Sequence, residues 1–95
     1  MVQREKGVSL NHRGRLDIMA NILNMANNGA KKTQLMYKCN LSFKQLELYV
    51  NLLVTKKLLT KHIHNGTRDI ILYETTTKGH SFLQVYRTLN ALLSA

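Results

Sequence analysis

"KKTQLMYKCNLSFKQLELYVNLLVTKK", residues 31–57, is the stretch whose reading decides the fold. Its second half is a helix with a marked beginning. Ser42, followed three residues later by Gln45, has the spacing of a capping box, in which each side chain satisfies the other residue's backbone N–H. The helix starts at about Phe43 and runs to about Lys57. Steps of about 100° put Leu46, Tyr49, Val50 and Leu53 on one face. Lys44, Leu48, Asn51 and Thr55 fall opposite, with Glu47 toward one flank and Gln45 toward the other. The first half is a short helix over about Lys32 to Lys38. Leu35 and Met36 face inward, and Thr33 sits where a cap or first turn belongs. "CNLS", residues 39–42, connects the two.

Upstream, Leu16, Ile18, Met19, Ile22, Leu23, Met25 and Ala26 make a broad helical stripe over Arg15 to Asn27. "NNG" stops it, with Gly29 as a left-handed cap. Residues 1–13 carry charge but little apolar periodicity, as in a flexible basic arm.

Downstream the period changes. "LLTKHIH" and "RDIILYET" are β-rich, and Asn65-Gly66 between them is a hairpin signal because both residues tolerate positive φ. Leu59 and Ile63 point one way; Thr60, His62 and His64 point the other. The threonines Thr75 to Thr77 end the second strand and cap a last helix over about Lys78 to Ser94. Phe82, Val85, Tyr86, Leu89, Leu92 and Leu93 form its stripe.

Three helices, a hairpin and a C-terminal helix give an α+β, mainly α, winged-helix order, with the second and third helices as a helix-turn-helix. The expected organisation is an arm at 1–13, the winged domain at 14–79 and a dimerisation helix at 80–95.

Charge points to the partner. Fourteen Lys and Arg oppose five Asp and Glu, a net of +9 in 95 residues, and an excess of this size favours polyanions. The five acids are scattered, and neither a nucleophile constellation nor a phosphate-cradling glycine loop is present, so an enzyme is not expected. His62 and His64 alternate onto one side of a strand without a third ligand, and Cys39 and His80 stand at no recognisable spacing. No metal, cofactor or small-molecule ligand is expected. The single cysteine, Cys39, reads as a small buried residue of a reducing cytoplasm. No run of about 18 apolar residues signals a membrane span, and residues 1–15 lack the apolar run of a secretory signal.

A helix-turn-helix lays its second helix in the major groove. Lys44, Gln45, Leu48, Asn51 and Thr55 are then the candidate base contacts: asparagine for adenine, lysine or glutamine for purine edges, leucine for a thymine methyl. Lys31, Lys32, Thr33, Lys38, Ser42 and Arg68 are the candidate backbone contacts. Lys56, Lys57 and Lys61 add to the charge. Tyr49 belongs to the core face, whereas Tyr37 is more open.

"GAKKTQLMYKCNLSFKQLELYVNLL" (29–53) and "YETTTKGHSFLQVY" (73–86) resemble the helix-turn-helix and the wing-to-last-helix junction of small archaeal winged-helix DNA-binding proteins. The more specific part is Met36–Lys38 with Asn40–Ser42; the Thr-x-Lys-Gly step at Thr76 to Gly79 is not specific by itself. The resemblance implies a homodimeric, nucleoid-associated or transcription-regulating protein on double-stranded DNA, paired through Phe82, Val85, Tyr86, Leu89, Leu92 and Leu93. Two departures stand out. The last helix spans only about 25 Å, which shortens any coiled coil. Position 57 is lysine where that pattern more often turns with glycine. The alternatives are a protein-interaction module of a larger assembly, which exposed Leu48 and Leu52 would fit, and a binder of structured RNA.

Overall fold

The structure, a computed structural model, describes residues 14–94; the basic arm at 1–13 lies outside them. The order is α1 (Arg15–Met25), α2 (Lys32–Lys38), α3 (Phe43–Thr55), β1 (Leu59–His64), β2 (Ile70–Thr75) and α4 (Thr77–Ser94). It is the winged helix-turn-helix order.

Local chemistry sets each boundary. At α3, the Gln45 N–H donates to Ser42 Oγ and the Ser42 N–H donates to Gln45 Oε1, both at 3.1 Å, so the capping box is complete. At α1 the Gly14 N–H donates to Asp17, and at α2 the Lys31 N–H donates to Gln34. Lys31 is therefore the cap residue of α2, and Thr33 lies inside the first turn.

Helices α2 and α3 end alike. Asn40 (φ 54°) and Lys57 (φ 64°) take the left-handed conformation. The Leu41 N–H returns to the Met36 carbonyl and the Asn40 N–H to that of Tyr37; Leu58 and Lys57 repeat this on Leu53 and Val54. These are two Schellman endings, each with a buried leucine just beyond the turn. Helix α3 thus stops at Thr55, two residues before Lys57. Helix α1 likewise stops at Met25, short of Asn27, and Gly29 has its positive φ (92°) in the following turn rather than at the cap.

One core holds the elements. Ile22, Leu23, Leu35, Leu46, Leu53 and Cys39 are fully buried, with Tyr49 half-buried against them. The broad stripe on α1 is narrower than its sequence suggests: Leu16 and Met25 are exposed.

The wing is an antiparallel pair in which Leu59 faces Thr75 and His64 faces Ile70. Ala30 joins it by a reciprocal bridge to Tyr73, with N–H to O distances of 2.9 and 2.8 Å. The loop occupies residues 65–69, and neither Asn65 nor Gly66 uses a positive φ. A loop of this length does not need the mirror-image turn that the Asn-Gly pair suggested. Beyond the core the wing projects freely, and Ile63, Ile70 and Ile71 are exposed.

Helix α4 is fastened at its first turn. Thr76 caps it, its Oγ accepting the Gly79 N–H at 3.0 Å and donating to the Lys57 carbonyl at 2.7 Å. The Lys78 ammonium donates to the Lys56 carbonyl at 2.9 Å, closing the end of α3. Gly79 packs directly on the Leu58 carbonyl; a Cβ there would overlap that oxygen and lie 2.6 Å from the Thr75 methyl carbon. The Thr-x-Lys-Gly step is thus a junction between the ends of α3, β2 and α4.

Candidate nucleic-acid interface

Lys44, Leu48, Asn51 and Thr55 all lie exposed along the outer arc of α3, as their spacing required. A helix carries residues three and four apart on one side, so this arc is continuous over the length of α3. Gln45 is exposed too, but its carbonyl oxygen and the Ser42 hydroxyl are both committed to the cap. What Gln45 can still offer is its amide NH2, and Ser42 its hydroxyl proton.

The candidate backbone contacts separate into two groups. Lys31, Thr33 and Arg68 share one cleft between the start of α2 and the wing, lined also by Lys32, Asp69, Ile70 and Ile71. These residues are far apart in sequence, and the wing brings them together. Lys38, exposed at the other end of α2, lies outside this cleft. Lys32 lines the cleft but is not a free cation. Its ammonium pairs with Glu47 of α3 and stands 5.9 Å from the centre of the Tyr73 ring. The Glu47 carboxylate holds the Lys32 ammonium above its ordinary pKa.

Sequence reasoning missed Phe43. It is the first residue of α3 and 63% exposed, because the helix end lifts it off the core. Tyr37 (80%) and Leu48 (66%) are exposed on the same helix-turn-helix. The signal available was adjacency: Tyr37 precedes Lys38, Phe43 precedes Lys44, and Leu48 follows Lys44 by one turn.

The residues assigned to dimerisation divide. Phe82 and Tyr86 pack toward the chain's own core beside buried Leu83, their rings stacked with centroids 6.5 Å apart. The Tyr86 hydroxyl donates to Asp17 on α1. Val85, Leu89 and Leu92 line a groove on the opposite side of α4 with Ser81, Gln84 and Thr88, and Leu93 is exposed near the end. Leu83, absent from the expected stripe, is the residue that seats α4 on the core.

His62 Nε2 lies 3.1 Å from Glu74 across the wing. Among the described residues no three His, Cys, Asp or Glu side chains gather to hold a metal ion, and no helix is long and apolar enough to cross a membrane.

The pattern of the winged helix-turn-helix family matches residues 12–94, nearly the whole chain. The chain belongs to this family. Among solved winged-helix structures, the chain is similar to Sso10a-2, a DNA-binding protein from Sulfolobus solfataricus, at 23% identity and a TM-score of 0.77, over 86% of this chain and 83% of that one. That likeness fits the resemblance to small archaeal winged-helix proteins. A PadR family transcription regulator from Clostridium difficile is similar at 16% identity and a TM-score of 0.74, covering 85% of this chain and 92% of that one. ZitR of Lactococcus lactis, solved in complex with DNA, is similar at 14% identity and a TM-score of 0.60, over 96% of this chain and 65% of that one. At these identities the likeness is one of winged-helix fold. Comparison with curated proteins finds no match.

Proposed function

We propose that this winged helix-turn-helix protein binds double-stranded DNA as a homodimer and acts as a transcriptional regulator or nucleoid-associated protein. Helix α3 enters the major groove, with Lys44, Leu48, Asn51 and Thr55 toward the bases and the Gln45 amide at the edge. Lys31, Thr33, Lys38 and Arg68 hold phosphates on either side. The carrying observation is the cleft that brings Lys31, Thr33 and Arg68 together between the start of α2 and the wing, while the outer arc of α3 stands exposed. A net charge of +9 supports a polyanion, and the DNA-binding proteins of the same fold support the choice of duplex DNA. Residues 80–95 supply the dimer contact through Val85, Leu89 and Leu92, whose apolar groove faces away from the chain's own core. An isologous pairing there sets two reading helices at a fixed separation.

The test is a titration with duplex DNA at two salt concentrations. Binding that weakens steeply with salt is expected, since each phosphate contact releases counterions. Lack of binding at low salt would overturn the proposal. Asn51→Ala should reduce discrimination between selected and unselected duplexes by about 1–3 kcal/mol, whereas Arg68→Ala should weaken all sequences alike. Competition with structured RNA separates the two nucleic acids, and sedimentation of the Leu89→Glu variant tests the dimer.

A further inference from the structure

We infer that Phe43 and Leu48 select duplexes by the C5-methyl groups of thymine, giving the protein an apolar mode of reading. The inference rests on the duplex-DNA reading above and extends it to what the α3 surface recognises.

Both residues are large, apolar and exposed, at 63% and 66%, within the first two turns of α3. The N-terminal part of a recognition helix is the part that approaches base edges. Single exposed apolar residues are ordinary on protein surfaces. Here two stand on the same short segment with the cation Lys44 between them in sequence, and Tyr37-Lys38 repeats the pairing at the end of α2. The cores of protein–protein interfaces are depleted in lysine. An apolar residue flanked by lysine instead matches a major groove, where the thymine methyl is the apolar feature and phosphates line the rims. Within these first two turns Gln45 is half committed to its cap and Glu47 is tied to Lys32, which leaves Lys44 as the hydrogen-bonding group between the two apolar residues. Methyl contact then adds to the hydrogen-bonded reading by Lys44 and Asn51.

The experiment compares binding of the full chain to poly(dA-dT) and to poly(dA-dU). The two duplexes present the same hydrogen-bonding groups and differ in the C5-methyl. The wild type is expected to prefer the thymine polymer by about three- to fourfold per methyl contacted, taking a buried methyl as roughly equivalent to one methylene. The double variant Phe43→Ala/Leu48→Ala should bind both polymers with equal affinity. Both side chains are exposed, so the variant should keep its fold, which its thermal midpoint checks. Arg68→Ala should weaken both polymers while keeping the preference. Equal affinity of the wild type for the two polymers would overturn the inference and leave the duplex-DNA reading standing. A preference that survives the double variant would overturn it as well. Failure to bind these polymers and a mixed-sequence duplex at low salt would sink both.

Discussion

Lys32 and Glu47 form an ion pair across the helix-turn-helix, tying the first turn of α2 to the second turn of α3. The pair links the two helices outside their shared core. It also withdraws a cation from the face where phosphates are expected and leaves a carboxylate beside it.

Removing the acid should therefore trade stability for affinity. Both side chains are about one-third exposed (33% and 35%), so the pair is screened by solvent. Glu47→Ala should cost about 0.2–1 kcal/mol of stability. It should also tighten duplex binding and steepen the salt dependence by about one counterion. A denaturation curve and two salt titrations measure both. An unchanged salt slope would mean that Lys32 has no phosphate within reach.

Lys57 holds a left-handed conformation with a side chain attached. Glycine adopts that conformation without steric cost. Lys57→Gly should raise stability by about 0.5–1 kcal/mol after the greater freedom of glycine in the unfolded chain is counted. The thermal midpoint should rise by a few degrees. A lower midpoint would contradict the Schellman ending described for α3.

Gly79→Ala should do the reverse. The added methyl meets the Leu58 carbonyl, a backbone atom that cannot swing aside. Overpacking of this kind typically costs about 1–3 kcal/mol. His80→Ala, at the exposed neighbouring position, should stay within about 0.5 kcal/mol. Equal stability of the two variants would show that α4 can lift off its seat without cost.

The contact between Tyr86 and Asp17 predicts pH dependence on two flanks. The Tyr86 hydroxyl, and after it the Gly14 N–H, hold the Asp17 carboxyl below its ordinary value of 3.8. A depressed carboxyl stabilises the fold above its unfolded pKa and loses that contribution as pH falls through the folded one. The window lies below about pH 4. The Asp17 carboxylate and burial raise the Tyr86 phenol above 10.0. A raised group contributes fully below its unfolded pKa and loses its effect as pH rises through the folded one, so the second window lies above about pH 10. Tyr86→Phe should lower stability at neutral pH by about 1 kcal/mol and flatten both flanks. Denaturant midpoints at pH 3, 7 and 10.5, each about one midpoint per regime, would test this. Parallel pH profiles for wild type and variant would refute it.

The legible parts of this fold are the local ones. Ser42 and Gln45 announce the start of α3 because a capping box closes within four residues. The outer arc of α3 follows from helical period alone. The end of α3 was less legible, because Lys57 takes a left-handed conformation without the glycine that would mark it. The illegible parts depend on distant partners. Glu47 lies 15 residues from Lys32 and Asp17 lies 69 from Tyr86, so no spacing rule links them. The stripe on α4 merged two faces, because periodicity gives the angle of a residue but not the surface it meets. Phe43 was overlooked for the same reason: at the first turn of a helix, the angle that means burial further along means exposure. Asn65-Gly66 marked the hairpin, but the longer loop relieved it of the conformation that made it a signal.

Gly79 also acts as an index mark. The Leu58 carbonyl and the Thr76 cap fix the rotation of α4 at its first turn, and every later residue inherits that setting. One residue inserted after Gly79 would turn the remainder of α4 by about 100° and advance it about 1.5 Å. In two chains joined through α4, that single step would move the reading helices out of phase with the roughly 34–36 Å repeat of the duplex. In such a pairing, the clocking of one helix end would set the spacing between half-sites.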